Sequence, residues 1–319
     1  MATRGYQSYR GRNHGKLALV IVLVLILLAA VGYLVAQEYM VYDDEGHRHL
    51  ELPFLKKGQT EQPQQPEDTT PDDVNLIIDE PERPLLKELH ARQLPDTVLT
   101  EDPSAVLAEH PEAVVIPVKL RDGTVTYDTQ TAARDTVTTG GPETLTNLRT
   151  LLSGDTWTVA RIACFADMDF ANAKPDEAGL LRTGDGWLWY DDDAACWLDP
   201  GKAAAREYLV QLCKECAELG FDEILLDYCT YPVHGRLDRI DYGSVTNLTD
   251  TLSVFVEGVR EALPKTTALS VLVRDQVTAD ANDGGVTLAL LTEHFDRIYL
   301  DTDTVDAAAL QGLLPTDFD

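Results

Sequence analysis

Residues 220–232 read GFDEILLDYCTYP, and the alternation inside this stretch decides how the rest of the chain is understood. Successive side chains of a strand point to opposite faces. Glu223, Leu225 and Asp227 therefore share one side, and Ile224, Leu226 and Tyr228 the other. An apolar run of this kind, bounded by Gly220 and Pro232, predicts a strand covered on both faces. With Ile224 and Leu226 packed under helices, both carboxylates look to the opposite side, Glu223 deep and Asp227 toward the open end.

On either side of this stretch, short apolar runs alternate with helical ones. PDTVLT (95–100), AVVIPVK (113–119), WTVARIACF (157–165), ALSVLVRD (268–275) and DRIYLDTD (296–303) read as further strands. PETLTNLRTLLSG (142–154), AAAREYLVQLCKECAEL (203–219), LTDTLSVFVEGVREALP (248–264) and GGVTLALLTEHF (284–295) carry helical periodicity. Strand, helix, strand spacing of this sort makes parallel βαβ units. Polar residues close the strands: Lys119, Asp167, Asp227, Asp275, and Asp301 with Asp303. In parallel α/β sheets, ligands bind at that carboxyl edge. Two inward acids on one strand repel, so one is expected to keep its proton at higher pH than usual. One raised and one ordinary carboxylate is what acid/base cleavage of a glycosidic bond uses.

The formal net charge is −28, from 54 acidic against 26 basic side chains. Such a surface excludes nucleic acid as a partner, since phosphates need Lys and Arg. Leu17 to Ala36, LALVIVLVLILLAAVGYLVA, is an uncharged segment long enough for a hydrocarbon core of ~30 Å. Arg4, Arg10, Arg12 and Lys16 precede it and Glu38, Asp43, Asp44 and Glu45 follow, which places the N-terminus in the cytoplasm and the bulk of the chain outside the cell membrane. The expected order is a basic tail (1–16), a single transmembrane helix (17–36) in contact with the lipid bilayer, a juxtamembrane β-hairpin around Asp44-Glu45-Gly46 (37–55), a Gln/Pro/Glu-rich linker (56–84) and a globular domain (85–319).

Five cysteines do not make a disulfide framework. The single CxxC, Cys213 to Cys216, sits in a helical stretch and reads as two buried helix cysteines, with redox or zinc chemistry the less favoured reading. The seven histidines show no metal-ligand spacing; His234, just beyond Pro232, is expected at the sheet's open end. The run Asp191-Asp192-Asp193 reads as a solvated loop rather than a cation site, and Asp199 before Pro200 as the cap of the 203–219 helix. No cofactor or metal is expected.

Four segments, AVVIPVKLRDGTVTYDT (113–129), VARIACFADMDFANAKPD (159–176), GWLWYDDDAACWLDP (186–200) and AELGFDEILLDYCTYP (217–232), together resemble a glycoside-hydrolase-like family of bacterial cell-surface proteins. Its most specific part is GFDEI-x-x-DY-x-x-x-P, paired with W-x-DP at Trp197, Asp199 and Pro200. The resemblance implies a TIM-barrel-like (β/α) domain of the amylase type, with a mouth facing polysaccharide or cell-wall glycan. Carried over by position, Asp227 and Glu223 fall on the family's acidic strand as catalytic candidates. Lys119, Arg161, Trp187, Trp189, Tyr228, Asp275 and Asp301 become candidates for substrate binding. This sequence departs from the family at Pro117, Leu120, Ala166 and Thr230, where the pattern has charged residues. Only about six strands are legible, so the barrel is expected to be incomplete. The resulting expectation is a membrane-anchored extracytoplasmic glycoside hydrolase; the alternative is a catalytically inactive module that binds glycan or builds the envelope.

Overall fold

The computed structural model describes residues 40–42, 48–50, 89–277 and 282–313. The chain divides into two units, Met1–Leu76 and Ile77–Asp319. In the first, Met40–Tyr42 pairs antiparallel with Arg48–Leu50, Met40 standing opposite Leu50. The basic tail, the apolar segment 17–36 and the linker 56–84 lie outside the described residues. Among the described residues, no helix is long and apolar enough to cross a membrane.

The second unit is an α/β half-barrel built on six parallel strands: β1 (Ala91–Gln93), β2 (Ala113–Lys119), β3 (Trp157–Ala163), β4 (Glu223–Asp227), β5 (Ala268–Val273) and β6 (Arg297–Leu300). Their order in the sheet is their order in the chain. A doubly wound sheet reverses direction at a switch point; this one never does. With right-handed crossovers, steady advance in one direction puts every connecting helix on the same face. The principal helices are α1 (Pro142–Leu152), α2 (Ala203–Leu219), α3 (Leu248–Ala262) and α4 (Leu288–His294).

The two faces of the sheet bury different cores. Val114, Ile116, Ala160, Ile162, Ile224, Leu226, Leu269 and Val271 join helix residues such as Leu148, Leu209, Leu212, Phe255 and Leu291 in the large core. Ala113, Val115, Trp157, Val159, Leu225 and Ala268 form a second, helix-free cluster on the concave side, with Leu272 and Tyr299 against it. The strict alternation along β2 to β5 thus separates an outer, helix-packed side from an inner one. Cys213 and Cys216 are buried in α2 as free thiols. That helix ends where Gly220 takes φ 106°, a left-handed conformation that glycine adopts without a Cβ penalty.

Three local expectations are corrected. Residues 95–100 are not a strand: Val98–Thr100 is a 3₁₀ turn that buries Val98 and Leu99, and the first strand is Ala91–Gln93. Pro95 and Asp96 start a turn, closed by Val98 N donating to Pro95 O at 3.0 Å, and that overrides the β propensity of the apolar pair. Asp199 does not cap α2. It forms a turn onto Gly201 N at 2.8 Å, while Lys202 stands at the cap position. The loop 191–193 is not wholly solvated either, because Asp191 is buried.

Candidate functional site

The inner face of the sheet carries the two carboxylates that the alternation of 220–232 points inward, and each has its own cationic cage. Asp227, at the end of β4, is 0% exposed. Arg161 of β3 donates to its Oδ2 from Nε at 2.9 Å and Nη2 at 2.7 Å. Arg274, just past β5, donates from Nε to Oδ1 at 2.6 Å and from Nη2 to Oδ2 at 3.0 Å. The backbone N–H of Tyr228 adds a bond to Oδ1 at 2.9 Å. Five donors fill the acceptor sites of one carboxylate. The Arg274 charge is opposed by burial, yet Asp227, with Tyr228 and Asp301, pushes its pKa upward.

Glu223 lies four residues earlier, about 13 Å along the strand at ~3.3 Å per residue. It is also fully buried, accepting from Trp157 Nε1 at 3.0 Å, from Tyr299 Oη at 3.0 Å and from Arg297. Burial, then the charge of Glu223, raises the Tyr299 hydroxyl well above its ordinary range. The two carboxylates are therefore not a mutually repelling pair sharing a solvent-filled lumen. Arginines separate them and neutralise each, and Arg161 serves Asp227 rather than Glu223.

Beyond Asp227, the carboxyl edge opens into a cavity of about 310 Å³. Tyr228 forms part of its wall, with the guanidiniums of Arg274 and Arg121 over the ring at 4.7 and 5.5 Å from its centroid. Trp197 meets the same ring edge-on at 6.0 Å. Asp301 faces the cavity at 26% side-chain exposure and accepts from Arg274 Nη1 at 2.7 Å. Asp275, 25% exposed, shares a 2.8 Å contact with His234 Nε2. So Tyr228, Asp275, Asp301 and the expected His234 do meet around one opening.

The other four candidates do not line it: Arg161 is held on Asp227 below, and Lys119, Trp189 and Trp187 lie elsewhere. Lys119 is buried and pairs with Asp167 at 2.9 Å, with further bonds to the carbonyls of Ala163 at 2.5 Å and Ala166 at 3.4 Å. Simple alternation would send it inward with Ala113 and Val115. A bulge between Pro117 and Lys119 shifts the register by one, so that Lys119 stands beside Ile162, a helix-facing position. Asp167 in turn caps a short helix by accepting from Phe170 N at 2.8 Å, and burial outweighs Lys119 in raising its pKa. Trp189 is 1% exposed, its indole N–H bound to Arg236 O at 3.0 Å, so it is a wall residue and presents no face to a sugar. Trp187 is 71% exposed. Among the described residues no group of three His, Cys, Asp or Glu side chains is placed to hold a metal ion.

Sequence reasoning passed over Arg274, Arg297, Arg121 and Tyr299. The signal was present for three of them. Arg274 has the parity of Leu272, and Arg297 and Tyr299 that of Asp301, so the rule applied to 223 and 227 also places them inward. Arg121 belongs to a loop, where no such rule operates. There it donates to Asp191 at 2.5 Å and to Asp193 at 2.8 Å. Burial works against the Asp191 charge, but bonds from Trp197, Ala195 N and Arg121 hold that carboxyl below its usual range.

Among solved structures, the chain is similar to a hypothetical protein from Ruminiclostridium thermocellum ATCC 27405, at 26% identity and a TM-score of 0.48, over 56% of this chain and 95% of that one. It is also similar to an α-galactosidase from Thermus thermophilus, at 16% identity and a TM-score of 0.36, over 56% of this chain and 35% of the enzyme. A chitinase from Rhizomucor miehei shares 13% identity at a TM-score of 0.37, over 66% of this chain and 55% of that one. No curated protein matches the sequence. Residues 104–299, spanning β2 to β6 with most of the cavity wall, match the family described as "Putative glycosyl hydrolase domain" (DUF4015), and the chain belongs to that family.

Proposed function

We propose that the protein engages polysaccharide at the carboxyl edge of its sheet, and that Glu223 and Asp227 hold the inner face of the sheet together rather than cut the substrate. One observation carries this reading: Asp227 has no exposed surface, and five donors occupy its oxygens. A nucleophile or general acid must come within hydrogen-bond reach of the reacting atoms. In addition, Glu223 is fully buried and held by Trp157, Tyr299 and Arg297, so it does not face a glycosidic bond opposite Asp227. The wall that remains accessible, an aromatic ring under guanidiniums with two partly exposed carboxylates, suits the polar rims and apolar faces of sugar rings.

A second reading keeps hydrolysis and moves it. Asp275 and Asp301 follow adjacent strands, which lie about 4.8 Å apart, and both face the cavity. Such a pair acts in glycoside cleavage when its carboxyls stand ~5–9.5 Å apart, and His234, in contact with Asp275, would serve as the proton carrier. We further propose that residues 17–36 anchor the chain in the cell membrane, with the glycan-engaging unit outside; carbonate extraction of membranes and protease shaving of intact cells test this.

The deciding experiment measures binding and reducing-sugar release by the full chain on a panel of envelope and plant polysaccharides, alongside Asp227→Asn, Asp275→Asn and Asp301→Asn. Binding without release supports the first reading. Release that Asp275→Asn or Asp301→Asn abolishes, with melting temperature unchanged, establishes the second. Absence of binding and release on every polymer removes both.

A further inference from the structure

A second cavity, also of about 310 Å³, opens beside the short ribbon in which Leu181–Arg182 pairs with Ile240–Asp241. Arg182, Arg236 and Arg239 line it, together with Trp189 and Tyr190. In a chain whose acids outnumber its bases 54 to 26, three guanidiniums around one cavity run against the composition. Asp185, Asp191 and the exposed Asp192 line it too, so the charges there are mixed and the arginines that stay unpaired are what matter. Asp191 is turned away, its oxygens taken by Trp197 Nε1 at 2.9 Å, Arg121 at 2.5 Å and the backbone of Asp193 and Ala195, both at 3.0 Å. Asp185 meets Arg182 at 2.9 Å, but the buried Nε of Arg182 has no partner. Among the described residues, Arg239 forms an ion pair with Asp238 alone, at 3.7 Å with both side chains exposed, a contact of little energy. Arg236 makes no ion pair among the described residues.

A stacking surface adjoins these charges. The Arg182 guanidinium lies over the Tyr190 ring at 5.6 Å, and Tyr190 is 51% exposed. Trp187 is linked to the same ribbon by Arg182 N donating to its carbonyl at 2.7 Å. Among the described residues, four large apolar side chains are exposed, Trp187, Tyr190, Val254 and Leu313; Tyr190 lines this cavity and Trp187 is tied to the adjoining ribbon. Guanidinium forks match carboxylate and phosphate oxygens, and aromatic faces match the apolar faces of pyranose rings.

We infer that this cavity is a subsite for an acidic sugar unit, one bearing a carboxylate or phosphate, so that the polysaccharide engaged by the domain is anionic. The inference rests on the carbohydrate reading above and adds the charge of the substrate to it. Carboxylate and phosphate share the recognition chemistry, and the probes separate them.

Binding to the full chain is measured by calorimetry for polygalacturonate, for its fully methyl-esterified form, and for poly(glycerol phosphate). The expected result is at least tenfold tighter binding of one anionic polymer than of the ester. Arg236→Ala/Arg239→Ala is expected to remove that preference and leave binding of the ester unchanged, while Arg236→Lys/Arg239→Lys keeps part of it. Both arginines are exposed, so an unchanged melting temperature serves as the control. Preference for polygalacturonate assigns a uronate, and preference for the glycerol polymer a phosphate. Equal affinity for all three polymers, or a preference that survives the alanine pair, overturns the subsite and leaves the carbohydrate reading standing. Failure of all three to bind overturns the subsite, and the polysaccharide panel of the preceding section then decides the carbohydrate reading separately.

Discussion

Arg274 links the interior of the sheet to its opening: two of its nitrogens hold the buried Asp227, at 2.6 and 3.0 Å, and the third holds the cavity-facing Asp301 at 2.7 Å. One guanidinium thus sets the positions of a fully buried carboxylate and of one that faces the cavity.

Replacing Asp227 by Asn is therefore expected to act on stability first. It leaves Arg161 and Arg274 facing each other without their shared counter-charge, and breaking a buried pair from one side costs about 3–5 kcal/mol. Urea unfolding of the full chain should show a loss of that order. A variant as stable as the parent, with altered chemistry alone, would restore Asp227 to a catalytic role.

Lys119 and Asp167 should behave as one unit. Either Lys119→Met or Asp167→Asn strands the other charge in the core, whereas the double variant removes both. A double-mutant cycle is expected to give a coupling energy above ~1 kcal/mol. Additive losses would mean that the carbonyl contacts of Lys119, and not the ion pair, hold this corner.

The two tryptophans of the GWLWY segment should separate cleanly. Trp189→Ala empties a core site and is expected to cost about 3–5 kcal/mol. Trp187→Ala removes an exposed ring and should stay within ~0.5 kcal/mol, while weakening glycan binding. Thermal melts together with binding on the same two samples check both statements.

Alkaline sensitivity follows from the buried thiols. Burial pushes Cys216 up to about 12, and Cys164 and Cys213 well above their ordinary range. Below ~8.5 the thiols are protonated in both the folded and the unfolded chain, and stability is complete. Above that, only the unfolded chain releases protons, so stability falls by about 1.4 kcal/mol per pH unit per thiol. For Cys216 the loss ends as pH passes about 12. Urea midpoints under reductant between pH 8 and 10.5 should decline, and Cys216→Ala should flatten the slope; a flat parent profile would contradict this.

The strands of the sheet were the most legible part of the fold. β2 coincides with the run AVVIPVK, and β3 to β6 each lie inside their apolar stretches, because a period of two reports directly on a sheet with a helix-covered side. The same alternation located Glu223 and Asp227. It failed at Lys119, where a proline without an N–H breaks the ladder and the parity slips by one. It also failed to show that both acids are saturated, since their partners Arg161, Arg274 and Arg297 come from strands up to 74 positions away. Periodicity describes a face, whereas neutralisation depends on which strands become neighbours.

Tyr228 occupies a left-handed conformation, φ 50°, which costs a non-glycine residue roughly 1–2 kcal/mol. A glycine would relieve that cost and delete the ring. By keeping the ring, the chain turns sharply on leaving β4 and commits the following loop to one path before any ligand arrives. Preorganisation of this kind spares the entropy of ordering a flexible loop during association, so the residue trades intrinsic stability for a site that is already set.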